Sequence, residues 1–118
     1  ATEIIFDNLP VLFPCLQWHS TEAKRMPEGA VCLATSPDCV VQAMSWGPRA
    51  YSMQFHLEVE PETVTNWIEI PAYKSALGAT LGDDGATILK ASCDEQMATF
   101  NLMAERVYMN WLQTAAQI

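Results

Sequence analysis

The apolar positions of this chain change period once, near residue 60, and that change predicts its architecture. Before it, short apolar runs alternate with turn signals. Val11–Trp18 reads as a first strand, interrupted by Pro14, and a polar stretch from Ser20 to Gly29 follows, whose Pro27-Glu28-Gly29 reads as a turn. Val31–Ala34 reads as a second strand ended by Ser36-Pro37-Asp38, and Cys39–Met44 as a third closed by Gly47-Pro48. Ala50–His56 is a fourth. Strands this short, joined by compact turns, predict an antiparallel meander.

After Glu60 the period becomes helical. Pro61 suits a first helical turn, where a missing N–H goes unnoticed, and Val64, Trp67 and Ile68 form one apolar stripe. Pro71 breaks that helix, and Tyr73, Leu77 and Leu81 mark a second one. Gly82-Asp83-Asp84-Gly85 reads as a turn, followed by a brief helical piece through Leu89 and Lys90. Ser92-Cys93-Asp94-Glu95 has the spacing of a capping box and predicts the start of the last helix. Its stripe runs Met97, Phe100, Met103, Ala104, Val107, Tyr108, Trp111, Leu112 and Ala115, with Asp94, Glu95, Asn101, Glu105 and Arg106 off it. Such a stripe is expected to face a core. The fold class is therefore α+β: one domain over residues 1–118, with strands over about 11–56 and helices over about 61–117.

Composition narrows the function. Half of the 118 residues are apolar, enough for a core, and the length suits one domain. Six basic against fourteen acidic residues give a net charge of −8, which repels phosphate backbones and anionic membrane surfaces, so neither nucleic acid nor membrane is an expected partner. No apolar run approaches the roughly 20 residues of a spanning helix, and the first eighteen residues lack the basic start and apolar core of a secretion signal. Cys15, Cys32, Cys39 and Cys93 form no C-x-x-C pair and sit in apolar contexts, which predicts buried, reduced thiols and a cytoplasmic location. Two histidines without a ligand-spaced cysteine pair predict no metal site, and nothing calls for a cofactor.

The chemistry-bearing segment is Tyr51-Ser52-Met53-Gln54-Phe55-His56-Leu57-Glu58. In extended backbone side chains alternate, so His56 and Glu58 fall on one side. A carboxylate beside an imidazole fixes its tautomer and orients the ring, which makes the two a base and its orienter. On the residues alone a histidine at a strand end is more often structural, and both readings stay open. His19, beside Trp18, reads as a partly packed structural ring.

Gln54-Phe55-His56-Leu57-Glu58 resembles the Gln-Phe-His-Pro-Glu signature that ends class I (triad-type) glutamine amidotransferase domains. The likeness continues outside it. Phe6–Pro10, the strand leading to Trp18-His19-Ser20, the turn Met26-Pro27-Glu28-Gly29-Ala30, then Val31–Ser36 and Val41-Gln42-Ala43 follow in the family's order and spacing. Pro61-Glu62-Thr63-Val64-x-x-Trp67 is also similar to bacterial members. The resemblance implies the second, C-terminal half of the family's α/β domain. It further implies glutamine amide hydrolysis by a Cys-His-Glu triad, with His56 as base and Glu58 as its orienter.

Two departures qualify the resemblance. Leu57 stands where the family has proline, a change of backbone shape and not of chemistry. More seriously, the family's nucleophile sits on a Gly-x-Cys-x-Gly strand-to-helix turn, and none of the four cysteines here has such glycines around it. Cys15, Cys32 and Cys39 fall within predicted strands, away from any helix N-terminus that would lower a thiol's pKa. The chain is thus expected to be inactive by itself. It reads as part of an amidotransferase whose other half supplies the cysteine, or as an orphan non-catalytic half-domain that self-associates, or, third, as a small-molecule binding module. A homodimer or a complementary N-terminal half-domain is the expected partner.

Overall fold

Turn chemistry divides the first half of the chain. The structure, a computed structural model, describes residues 4–19 and 21–116; Ser20 and the expected helix end at residue 117 lie outside them. Gly29 (φ 88°) and Gly47 (φ 69°) take left-handed backbone angles that a side chain would strain. The first turn closes with the N–H of Ala30 donating to the carbonyl of Pro27 at 3.1 Å. Between and beyond these turns lie β1 (Ala30–Ser36), β2 (Cys39–Trp46) and β3 (Ala50–Met53). They pair antiparallel in the order β1-β2-β3, with Ala30 opposite Trp46 and Ala43 opposite Met53.

The expected strand at Val11–Trp18 is not one. Pro14 offers no N–H and restricts Phe13, so no ladder propagates there. What remains is one antiparallel bridge, in which Leu16 and His56 exchange backbone hydrogen bonds of 3.0 and 2.8 Å. β3 correspondingly ends at Met53, short of the expected His56, because Leu16 takes over from β2 as the neighbour of His56.

The helical half is α1 (Thr63–Ile68), α2 (Pro71–Leu81) and α3 (Gly85–Ala116). Thr63 Oγ1 accepts from the N–H of Glu60 just before α1, and Pro71 occupies the first turn of α2. Gly85 lets α3 start hard against α2: a Cβ there would lie 2.5 Å from the Cβ of Leu81. The brief helical piece and the last helix are one continuous helix of 32 residues. Ser92–Glu95 lies inside it and caps nothing, because the chain before Ser92 is already helical and the ion pair from Lys90 to Asp94, 3.0 Å, spans the supposed boundary.

The core gathers Leu16, Ala43, Phe55, Leu57, Val59, Val64, Cys93, Phe100 and Met103, with Trp67, Ile68, Met97, Ala104 and Val107 packed around it. Two asparagines tie α3 to the rest. Asn110 donates to the carbonyls of Ile5 and Asp7, and Asn101 donates to that of Val59. The last turns of the stripe do not face the core as expected. Tyr108 and Trp111 remain 58% and 47% exposed, and Leu112 is exposed too, because the three-stranded sheet offers nothing to cover them. All four cysteines are free thiols, but Cys32 is exposed, contrary to the expectation for it, since it sits on a strand at the sheet's edge. Cys15 lies in the irregular stretch and not in a strand.

Candidate functional site

His56 and Glu58 meet. The Nδ1 of His56 and Oε1 of Glu58 are 2.7 Å apart, and the second carboxylate oxygen accepts from the N–H of Leu57 at 2.9 Å. The carboxylate is thereby held at both oxygens by a ring and a backbone group within three residues of chain. Facing an acceptor-only carboxylate, Nδ1 must carry the proton, which leaves Nε2 as the basic nitrogen whenever the ring is neutral. Among the described residues Nε2 has no hydrogen-bond partner.

The electrostatics agree with that assignment. Partial burial pushes the Glu58 carboxyl upward, but the hydrogen bond with His56, the backbone N–H groups of Glu58 and Leu57, and the attraction of the imidazole outweigh it. The net result lies below the ordinary carboxylate value, so Glu58 is ionised at neutral pH. Its side chain is still 66% exposed, against 27% for His56, so the pair sits at a rim where water reaches the acid more than the ring.

Three segments gather around His56. Leu16 clamps its backbone from one side. Trp67 of α1 lies against the ring, with centroids 5.1 Å apart at 66°, and Trp18 packs on Trp67 at 5.1 Å. Tyr73 of α2 then meets Trp18 edge-on at 6.0 Å. Sequence reading found the pair but missed this stack; the signal was present in Trp18 and Trp67 as aromatic residues flanking the two ends of the meander.

On its other side the pair borders an open groove of about 670 Å³. Tyr51, Met53 and Phe55 form one wall, and Val107, Tyr108 and Trp111 of α3 the other. The bond from the N–H of Gln54 to the carbonyl of Gln42 extends the β2–β3 register and makes the even residues of β3 the bonded ones. The backbone groups of Tyr51 and Met53 therefore face away from β2, along an edge that no described strand occupies.

No described cysteine completes the pair. None makes a hydrogen bond with His56: Cys15 accepts from Gln17, Cys32 bonds the carbonyls of Ala34 and Val40, and Cys39 bonds that of Val41. Burial pushes the thiols of Cys15 and Cys93 up, away from the thiolate form a nucleophile needs. His19 is exposed and spent on the carbonyl of Thr21 and the side chain of Gln17, both at 2.8 Å; it stands apart from the site. Among the described residues no group of His, Cys, Asp or Glu could hold a metal ion, and no helix is long and apolar enough to cross a membrane.

A histidine–carboxylate pair thus stands at the end of a β-meander, with a helical half behind it. Residues 2–69 match the profile of the family described as glutamine amidotransferase class-I, and the chain belongs to that family. It is 36% identical over 76 residues to a glutamine-hydrolyzing GMP synthase subunit of Methanocaldococcus jannaschii. That match covers 59% of this chain and 40% of the relative, so the chain corresponds to less than half of the relative's length. No solved structure matches.

Proposed function

We propose that this chain carries the base and the orienting acid of a glutamine-hydrolysing Cys-His-Glu site, and that the cysteine comes from a different stretch of polypeptide. The observation that supports it is the 2.7 Å contact at Nδ1 of His56, which makes Nε2 the basic nitrogen of the neutral ring, without a partner among the described residues. In the complete site a thiol gives its proton to Nε2 and its sulfur attacks the amide carbon of glutamine. The tetrahedral adduct collapses to a thioester, and the proton on Nε2 leaves with the amine as ammonia. Water, deprotonated by the same nitrogen, then releases glutamate and the free thiol. Glu58 holds the ring's tautomer throughout and stabilises the imidazolium when it forms. The acyl-transfer steps belong to the whole site. This chain contributes only the proton handling.

By itself the chain hydrolyses no glutamine. Ammonia release should match that of a His56→Ala control at every protein concentration. Turnover abolished both by His56→Ala and by replacing one of the four cysteines would overturn the reading, since a thiol of this chain would then be the nucleophile. The partner is a complementary N-terminal half-domain that covers the groove and its unpaired edge. One observation favours a second reading, a self-associating half-domain without catalysis: Tyr108, Met109, Trp111 and Leu112 together expose apolar surface near the end of α3. Monomers rarely leave such surface in water, and two-fold pairing is its commonest cover. Adding a polypeptide with the family's Gly-x-Cys-x-Gly turn separates the two: restored, His56-dependent ammonia release supports the first, and association without activity the second.

A further inference from the structure

A single hydrogen bond does not fix an imidazole. The contact between Nδ1 and Glu58 sets where one edge of the His56 ring sits, but the torsion that swings the ring is broad, so Nε2 still sweeps an arc. A second constraint must come from a surface laid against the ring. Trp67 supplies it, 5.1 Å from the imidazole centroid and inclined at 66°. The indole is itself held in place. Trp18 packs on it at 5.1 Å and 47°, and Tyr73 closes edge-on over Trp18. Trp18 is in turn two residues from Leu16, whose backbone brackets that of His56 in both directions. The stack therefore joins the ring to the same segment that fixes its backbone.

We infer that Trp67 is a positioning residue, which with Trp18 behind it aims Nε2 of His56 away from α1 and toward the place of the incoming nucleophile. The inference rests on the reading of His56 as the base, but its structural consequence is testable without turnover. The proton on Nδ1 reports whether the ring is held. With the indole in place, the ring stays in one tautomer, Nδ1–H toward Glu58, and that proton exchanges slowly with water. Without it the ring swings, the bond to Glu58 opens, and exchange quickens.

The measurement is a long-range imidazole proton–nitrogen correlation spectrum of the full chain near neutral pH. It is taken for the natural protein and for Trp67→Phe, Trp67→Leu and Val64→Ala. Trp67→Leu keeps an apolar side chain on α1 but removes the aromatic face and part of the volume; Val64→Ala controls for the lost packing. The expected result is a Nδ1 proton exchanging on the order of tenfold faster than in the natural chain, or lost, as the restraint of one aromatic pair disappears. Trp67→Phe should restore most of the protection. Val64→Ala, which loosens α1 without touching the ring, should leave the His56 tautomer unchanged. Backbone amide dispersion checks that each variant is folded. An unchanged Nδ1 signal in folded Trp67→Leu overturns the inference, and so does equal loss in Val64→Ala, which would make the effect one of general stability. Failure of the base reading appears separately, as absent activity of the natural chain once the nucleophile-bearing polypeptide is added.

Discussion

Asn110 offers the sharpest test of how α3 is anchored. The residue is 8% exposed and its Nδ2 donates twice, at 3.0 Å to the carbonyl of Ile5 and at 2.8 Å to that of Asp7. Asn110→Ala removes both donors at once. The Ile5 carbonyl belongs to a residue only 1% exposed, so it loses its donor where water cannot easily replace it, at about 1–3 kcal/mol. Asp7 is exposed and its carbonyl can turn to water, so its share is nearer ~0.5 kcal/mol. Alanine returns about 0.5 kcal/mol through its higher helix propensity. The net loss is about 1–3 kcal/mol. At a urea slope near ~1.5 kcal/mol per M, the unfolding midpoint falls by about 0.7–2 M with the slope unchanged. Asn110→Asp should be worse at neutral pH, since it aims a carboxylate at two carbonyl oxygens, and it should recover on acidification as the new acid regains a proton to donate. A midpoint shift below ~0.3 M for Asn110→Ala, or an aspartate variant no worse than alanine, would falsify the anchoring role.

Because the Glu58 carboxyl is held below its ordinary value, it favours the folded state above the ordinary carboxylate range, and that contribution disappears as pH falls through the lowered value; Glu58→Gln should flatten this acid limb of the urea midpoint, by a small amount given the acid's exposure. Of the four thiols, exposed Cys32 should react first with an aromatic disulfide reagent in the native state, and Cys32→Ser should remove the fast phase while leaving the slow, unfolding-limited ones. Sedimentation across a hundredfold dilution should show association that Trp111→Glu abolishes; a 13.1 kDa species at every concentration would refute pairing through the end of α3.

The parts of the fold that could be read from sequence are those set by local chemistry. The turns at Gly29 and Gly47, the helix opening at Pro71 and the proximity of His56 to Glu58 each depend on a few adjacent residues. What sequence could not show was decided by distant partners. Val11–Trp18 has the composition of a strand, yet only Leu16 finds a ladder partner, because Pro14 interrupts the run and β2 is already paired on both edges. Ser92–Glu95 has the spacing of a cap, but a cap needs a non-helical residue before it, and Gly85–Lys90 had already started the helix. The apolar stripe of α3 was legible as a stripe. Its exposure beyond Val107 depends on how many strands lie opposite, which period cannot reveal.

The same division between local and distant order bears on how a triad could be shared between two stretches of polypeptide. A base that depended on its nucleophile for orientation would be formless alone and slow to assemble. On the proposed reading of His56 as the base, the orientation is complete within the chain. Glu58 is held by His56 and Leu57, the His56 backbone by Leu16, and its ring by Trp67. Asn101 donates to the carbonyl of Val59 just beyond the pair, which ties the loop leading into α1 to α3. The side facing the groove stays open: the outer edge of β3, the groove of about 670 Å³ and the aromatic end of α3. A complementary polypeptide would therefore find the base aimed before it arrives, and would have to order only its own thiol. Pre-organisation of this kind lowers the entropy of assembling the reactive geometry, which is where a misplacement of about 1 Å can lose on the order of a hundredfold in rate.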